Sequence, residues 1–117
     1  MKDLDCVNSA AWNELRELPD DLKAALGFQL HKLQMGDDPS DFKPMKTVGK
    51  GVFELRISDS LGNNVGRSFY VANLGNTIWV LHSFIKKAQK TPQKNIDLGS
   101  KRYKELLRLI EGEGNEK

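Results

Sequence analysis

From Val52 the period of the sequence changes to two, in three short runs that end at Phe84, and this limits the possible folds more than any other feature. Three runs show the pattern: VFELRI, VGRSFYVANL and TIWVLHSF, each rich in β-branched and aromatic residues. The segments SDSLGNN and GN that separate them are typical turn sequences. The second half of the chain is therefore predicted to form a three-stranded antiparallel meander.

The first part of the chain has the period of helices. Four leucines in DDLKAALGFQLHKLQMG repeat at intervals of four, four and three, and Gly36 can end this helix. They are Leu22, Leu26, Leu30 and Leu33. Upstream, Asn8 or Ser9 offers an N-cap for AAWNELREL, whose apolar face would carry Trp12, Leu15 and Leu18. The two helices are expected to form a hairpin.

The remaining elements are short. LDCV, residues 4–7, could be an edge strand, and DDPSDFKPMKTVGKG is predicted to be an irregular connection held to the core by Phe42 and Met45. A final helix is predicted with Thr91 as N-cap and Pro92 as its first residue. Its buried face would carry Ile96, Tyr103, Leu106 and Ile110, with Lys94, Lys101, Arg102 and Arg108 largely elsewhere.

These elements predict one α+β domain spanning residues 1–117, with a frayed tail at 112–117. An N-terminal short strand and a helical hairpin would pack on a small antiparallel sheet, made of the three-stranded meander plus an edge strand, and a C-terminal helix would follow. Helices would cover one face of the sheet and leave the other for another role.

Composition favours a cytoplasmic protein without a membrane partner. The N-terminus lacks the features of a signal peptide, and IWVL is the longest apolar run. Cys6 is the single cysteine and is expected to be a buried apolar residue. With only two histidines beside it, the sequence shows no metal-ligand spacing, and we expect neither a metal nor a cofactor.

Charge is unevenly distributed although the net charge is only +2. Residues 1–41 hold nine acids against four bases, whereas residues 82–104 hold seven bases against Asp97 alone. The C-terminal third can attract a polyanion. No phosphate-binding glycine loop, nucleophile elbow or His-Glu-x-x-His motif is present, so classical hydrolase and redox chemistry is not supported.

Two arginines lie in the predicted strands. Alternation puts Arg56 on the less apolar face with Val52 and Glu54, and Arg67 enters the next strand where it could point the same way. An ordinary surface ion pair, for instance with Glu54, is the alternative for each.

Lysines cluster where the last strand gives way to the helix. Lys86, Lys87, Lys90 and Lys94 follow Phe84, on which a base could stack while the lysines hold phosphates. Core packing is the alternative for Phe84. His82 is a candidate proton carrier, with a hydrogen-bonded structural histidine as the favoured alternative. Lys46 and Lys50 complete the set of expected RNA-binding residues.

The strings GVFELRI, GRSFYVA and VLHSFIKKAQKTP, with the following IDL and RYKEL, resemble the HigB-like branch of the RelE superfamily, toxins of bacterial and phage-borne type II toxin–antitoxin modules. The resemblance covers nearly the whole chain. It implies a RelE-like fold and a ribosome-dependent endoribonuclease that cuts mRNA and stops translation. It also implies a helix-turn-helix, HigA-like antitoxin that neutralises the toxin and represses the shared operon, so operator DNA would be bound only through the antitoxin.

By motif position, Arg56 and Arg67 would line the cleft, and Lys86, Lys87 and Lys90 would flank the phosphate. RNA supplies its own 2′-hydroxyl nucleophile, so metal-independent cleavage requires proton transfer and charge stabilisation, which arginines and a lysine of lowered pKa can provide. Some relatives use a late tyrosine as base, but Tyr103 is predicted to be buried and the facing of Tyr70 is open. Two alternatives to an endoribonuclease remain: a non-catalytic RNA- or ribosome-binding module, and an unrelated nucleic-acid adaptor.

Overall fold

The computed structural model describes residues 1–62, 64–87 and 90–115, with side chains to residue 112. Its elements follow one another along the chain in this order: β1 (Asp3–Cys6), α1 (Ser9–Arg16), α2 (Asp20–Gln34), β2 (Phe42–Pro44), β3 (Val52–Ser58), β4 (Val65–Leu74), β5 (Thr77–Lys86) and α3 (Gln93–Asn115). The predicted α+β class is confirmed.

The five strands form one mixed sheet in the order β1-β5-β4-β3-β2. The meander β3-β4-β5 is antiparallel, as predicted, and the two-residue turn between β4 and β5 begins at Gly75 with a φ of 70°. β1 is the expected edge strand, but it runs parallel to β5. Parallel strands need a long connection between them. Here α1, α2 and the first two meander strands lie between β1 and β5, so the connection is long enough.

β2 was missed in the sequence because it lies in the segment predicted to be irregular. It pairs antiparallel with β3, from Phe42 opposite Leu55 to Pro44 opposite Phe53. Proline is tolerated on an edge strand, where its missing N–H leaves no ladder position unpaired. The consequence for the site is that Lys43 lies opposite Glu54.

Helices cover both faces of the sheet, so the expectation of helices on one face alone is wrong. One core joins the four leucines of α2 to Leu55, Tyr70 and Val80. The other joins α3, through Leu106, to Phe69 and Val71. The two sets of strand residues alternate in sequence, as opposite faces require. The surface left open is thus only the part of each face beyond the helices.

α1 begins as predicted, because the Asn8 side chain accepts a hydrogen bond from the Ala11 amide at 2.8 Å. Leu15 packs against the core and Leu18 is buried, as predicted, but Ala11 is buried in place of Trp12, which is 45% exposed. α1 packs mainly on β5, and α2 mainly on β3, so each of the two helices makes its main contacts with strands. Gly36 follows α2 with a φ of 88°, as expected of a helix-ending glycine.

α3 begins at Gln93, one residue later than predicted, and the Thr91 hydroxyl donates to Glu54. Arg102 was expected on the outside but is buried, because its guanidinium bonds to Glu14 and to the Leu81 carbonyl. The helix continues to Asn115, into the segment expected to be frayed, while residues 116–117 lie outside the described residues. Within the described ranges, no helix is long and apolar enough to cross a membrane.

Candidate functional site

Arg56 and Arg67 occupy directly facing positions on β3 and β4. Leu55 and Ile57, which flank Arg56, belong to the α2 core, so strand alternation starts Arg56 and the facing Arg67 on the α3 side of the sheet. Both residues also line a cleft beside α2. Facing side chains on antiparallel strands start with Cβ atoms about 4.5–5.5 Å apart, and like charges placed there destabilise the sheet. Repulsion between the facing cations therefore destabilises the fold, and an anion bound between the two guanidiniums would relieve it.

The two arginines differ in exposure. The Arg67 side chain is 7% exposed, whereas that of Arg56 is 39% exposed and lies 3.8 Å from the Asp41 carboxylate. Burial lowers the pKa of Arg67, and the charge of Glu54 opposes this shift. A guanidinium nevertheless keeps its proton in proteins. Arg67 is thus a fixed, partly desolvated cation at the base of the site.

Glu54 is the buried anion of this site. Its carboxylate lies 3.5 Å from Arg67 Nε and 3.8 Å from Lys43 Nζ, and its Oε2 accepts from the Thr91 hydroxyl at 3.0 Å. The alternative considered for the arginines, an ion pair with Glu54, is therefore present at Arg67. A buried carboxylate needs such partners. It holds together groups from β2, β4 and the segment that precedes α3.

Unsatisfied polar atoms concentrate here. Within the part of the chain that the structure describes, the buried side-chain atoms without a hydrogen-bond partner are Arg56 Nε, Arg67 Nε and Glu54 Oε1. Buried polar atoms are hydrogen-bonded in the large majority of cases, so a cluster of exceptions requires an explanation. Arg67 Nε and Glu54 Oε1 lie 3.5 Å apart as an ion pair, and ligand binding would supply an acceptor for the remaining Arg56 Nε–H group.

Lysines extend the positive charge. Lys43, Lys86, Lys90 and Thr91 line a cleft of about 450 Å³. Partial burial lowers the pKa of Lys86, and the charges of Arg67, Lys43 and Arg56 lower it further against the opposing effect of Glu54. Lys43 was not anticipated, because only the pairing of β2 with β3 brings it to Glu54. An alternation of Phe42, Lys43 and Pro44 is too short to reveal a strand.

A second cleft, of about 340 Å³, takes the other predicted basic residues. Lys87 and Lys94 line it with Phe84. Phe84 also stacks on His82 at 4.8 Å between ring centroids and meets Phe69 edge-on. One side of its ring is therefore packed in the core, as the core-packing alternative predicts. The neighbouring residues Lys86 and Lys87 therefore line different clefts.

Lys46 and Lys50 lie in the connection between β2 and β3 and are exposed. The carbonyl of Lys50 accepts from the Tyr103 hydroxyl at 2.7 Å. Neither lysine is among the residues lining the clefts described in this section.

His82 is buried in a hydrogen-bonded network. Its Nδ1 lies 2.8 Å from Glu14 Oε1 and its Nε2 lies 2.7 Å from Asn95 Oδ1. Arg102 donates to the same Glu14 oxygen at 2.7 Å. Partial burial alone would raise the pKa of Glu14, but the hydrogen bonds from His82 and Arg102 and their charges outweigh it and lower this pKa to about 2. With both ring nitrogens engaged, the geometry favours the structural role for His82.

Neither tyrosine faces the arginines. Tyr70 is buried in the core beneath α2, stacked on Phe53, and burial raises its pKa. Tyr103 lies on α3 with its hydroxyl bonded to the Lys50 carbonyl. Among the described residues, no three His, Cys, Asp or Glu side chains are grouped closely enough to hold a metal. Cys6 is half-buried, and burial raises its pKa to about 11.

A third cleft, of about 430 Å³, adjoins the arginine pair on the side of α2. Arg56 and Arg67 form part of its wall, and Phe28 and Gln29 of α2 form another part. Ser40 and Asp41 close it from the connection that precedes β2. The two arginines therefore lie between this cleft and the lysines.

Sequence comparison identifies the family. The family model described as "Phage derived protein Gp49-like (DUF891)" matches residues 13–104. The chain belongs to the Gp49-like family. This is a phage-derived family of toxins from toxin–antitoxin systems, which confirms the predicted resemblance at that level. A search of curated proteins finds no match. The span matched in this Gp49-like protein includes both arginines, Glu54 and the lysines of both basic clefts.

Proposed function

We propose that this Gp49-like protein is a HigB-like toxin of a type II module, and that it cleaves mRNA on the ribosome and so inhibits translation. The observation that carries the proposal is the facing pair Arg56 and Arg67, flanked by Lys43 and Lys86 over one buried carboxylate. Cations exceed anions in this cluster, and among the described residues Arg56 Nε is buried without a hydrogen-bond partner. An RNA phosphate matches the charge and the fork geometry of these donors.

The arginines would stabilise the transition state. Attack by the 2′-oxygen places additional negative charge on the non-bridging oxygens of the phosphate, and fixed cationic donors favour that state over the ground state. Because Arg67 is buried and held by Glu54, it needs little reorganisation when the charge develops.

Lysines would move the protons. Lys86, whose pKa is lowered, can accept the 2′-hydroxyl proton in its neutral form. The 2′-oxygen then bonds to phosphorus, the bond from phosphorus to the 5′-oxygen breaks, and a protonated lysine such as Lys90 gives its proton to that oxygen. The products are a 2′,3′-cyclic phosphate and a 5′-hydroxyl.

The proposed partners follow from this activity. They are the ribosome with its mRNA, and a cognate helix-turn-helix antitoxin of the HigA-like type that neutralises the toxin and contacts the operator. The protein would act in the cytoplasm, where its induction arrests growth.

The test is controlled induction in a bacterial host, followed by primer extension on a well-translated transcript and on the same transcript without its start codon. The proposal predicts cuts on the translated copy only, together with growth arrest. Lys86→Gln should reduce the cuts strongly, whereas Lys87→Gln, the same charge change on the neighbouring residue in the other cleft, should reduce them much less. Absence of cuts with normal growth would contradict the proposal.

A second candidate is a binding module that does not cleave RNA. It is favoured by the engagement of both His82 ring nitrogens in hydrogen bonds and by the position of both tyrosines away from the arginine pair. Ribosome association that persists without any cuts would select this function.

A further inference from the structure

We propose that the cleft between α2 and the arginine pair is a nucleobase subsite, in which Phe28 is the stacking platform for an unpaired base next to the phosphate held by Arg56 and Arg67. This inference rests on the proposed function, because it assigns a second part of the RNA to the same site. It adds a residue on α2 that neither the basic motif nor the strand pattern indicated.

Phe28 is unusual among the apolar residues of α2. The leucine stripe of that helix is buried, whereas Phe28 is 61% exposed. An exposed aromatic ring leaves apolar surface in water and contributes little to stability. Here it forms part of the wall of a concave site of about 430 Å³, which lies within the usual range of about 300–1,000 Å³ for small-molecule sites.

The opposite part of the same wall is cationic. Arg56 and Arg67 line the cleft together with Phe28, and their two charges exceed that of Asp41, whose carboxylate lies 3.8 Å from Arg56. Among the described residues, Arg56 Nε is buried without a hydrogen-bond partner. A ligand that fits must therefore combine an anionic group with a flat face. A nucleotide has both, since every base can stack on an aromatic ring while its phosphate pairs with arginine.

The remaining wall is fixed by hydrogen bonds. Gln29 Oε1 accepts from the Ser40 amide at 2.8 Å, and Gln29 Nε2 donates to the Ser40 hydroxyl at 3.2 Å. This pairing holds the chain before β2 against α2 and sets the width of the cleft.

The experiment compares a nucleotide with its abasic equivalent. Adenosine 5′-monophosphate and ribose 5-phosphate are each titrated into the purified protein at low salt, and binding is followed by NMR. Base stacking is worth about 1–3 kcal/mol, so the nucleotide should bind about 5- to 150-fold more tightly than ribose 5-phosphate. Phe28→Ala should abolish that ratio, and Phe28→Tyr should restore it.

Met35→Ala is the matched control, because Met35 ends the same helix, is 56% exposed and does not line the cleft. It should leave the ratio unchanged. Equal binding of the two ligands by the wild type, an unchanged ratio in Phe28→Ala, or a failure of both ligands to bind would overturn the inference. So would a Phe28→Ala effect confined to neutralisation by the antitoxin, since Phe28 would then be a protein contact.

The proposed function can fail separately. Tighter binding of the nucleotide than of ribose 5-phosphate that requires Phe28, in a protein that makes no cuts on translated mRNA, would support the subsite and contradict the nuclease. Cuts on translated mRNA with no base-dependent ratio would support the nuclease and contradict the subsite.

Discussion

Replacing Glu14 by Gln should reveal how strongly one carboxylate fixes α1 and α3 to the sheet. Glu14 Oε1 lies 2.8 Å from His82 Nδ1 and 2.7 Å from Arg102 Nη1, and Arg102 also donates to the Leu81 carbonyl. His82 and Arg102 are buried. The variant would therefore leave two polar side chains without the anion that compensates them.

The magnitude follows from the pKa of Glu14, which falls from 4.5 to about 2 in the folded protein. At about 1.4 kcal/mol per unit, ionised Glu14 contributes about 3 kcal/mol to the free energy of unfolding. Because the folded pKa is the lower one, this contribution is complete above the unfolded pKa and is lost as the pH falls from about 4.5 towards 2. Roughly half of it should be gone at pH 3.

The assay is urea unfolding of the wild type and of Glu14→Gln at pH 5.5 and pH 3. We expect the difference in free energy of unfolding to be about 3 kcal/mol at pH 5.5 and about 1.5 kcal/mol at pH 3. Other carboxylates titrate in both proteins and cancel in the difference. Glu17→Gln, on the exposed end of the same helix, is the control and should show a small difference at both pH values. A Glu14→Gln difference that does not change with pH would refute the reasoning.

Three further predictions concern the arginine pair, the packing of α3 and the cap of α1. Arg56→Gln removes the repulsion between facing cations and the exposed pair with Asp41, so urea unfolding should show a stability unchanged or raised by up to about 1 kcal/mol while RNA cleavage falls; a large loss of stability would contradict this. Gly99→Ala would bring a Cβ to 2.7 Å from Phe69 and should cost about 1–3 kcal/mol, whereas Gly112→Ala in the same helix meets nothing within 4 Å and should stabilise by about 0.5–1 kcal/mol; equal effects in thermal unfolding would exclude the packing explanation. Asn8→Ala removes the cap hydrogen bond to Ala11 and should cost about 1 kcal/mol in the same assay, and an unchanged stability would show that the cap is dispensable.

Much of the fold could be predicted because long segments follow one period. The four leucines of α2 and the alternation in β3 place their residues correctly, since burial selects apolar side chains on one face. β2 could not be predicted: three residues with a proline carry too little pattern, and only its pairing with β3 makes it a strand. The parallel direction of β1 likewise depends on its contact with β5.

The candidate site likewise contains residues that the sequence could place and residues that it could not. Alternation along β3 put Arg56 and Glu54 on one face and allowed Arg67 to share it, and the structure adds Lys43. Neighbouring lysines look equivalent in the sequence, but Lys86 and Lys87 line separate clefts. The burial of Arg102 could not be anticipated, since its partner Glu14 lies on a helix distant in sequence.

The most direct test of the central proposal uses purified protein, programmed ribosomes and an mRNA labelled near its start. The ends of any fragments are then analysed chemically. We expect cuts that carry a 2′,3′-cyclic phosphate and a 5′-hydroxyl, strongly reduced in Lys86→Gln and largely retained in Lys87→Gln. Intact mRNA, or fragments with 3′-hydroxyl and 5′-phosphate ends, would contradict attack by the 2′-hydroxyl at the arginine cluster.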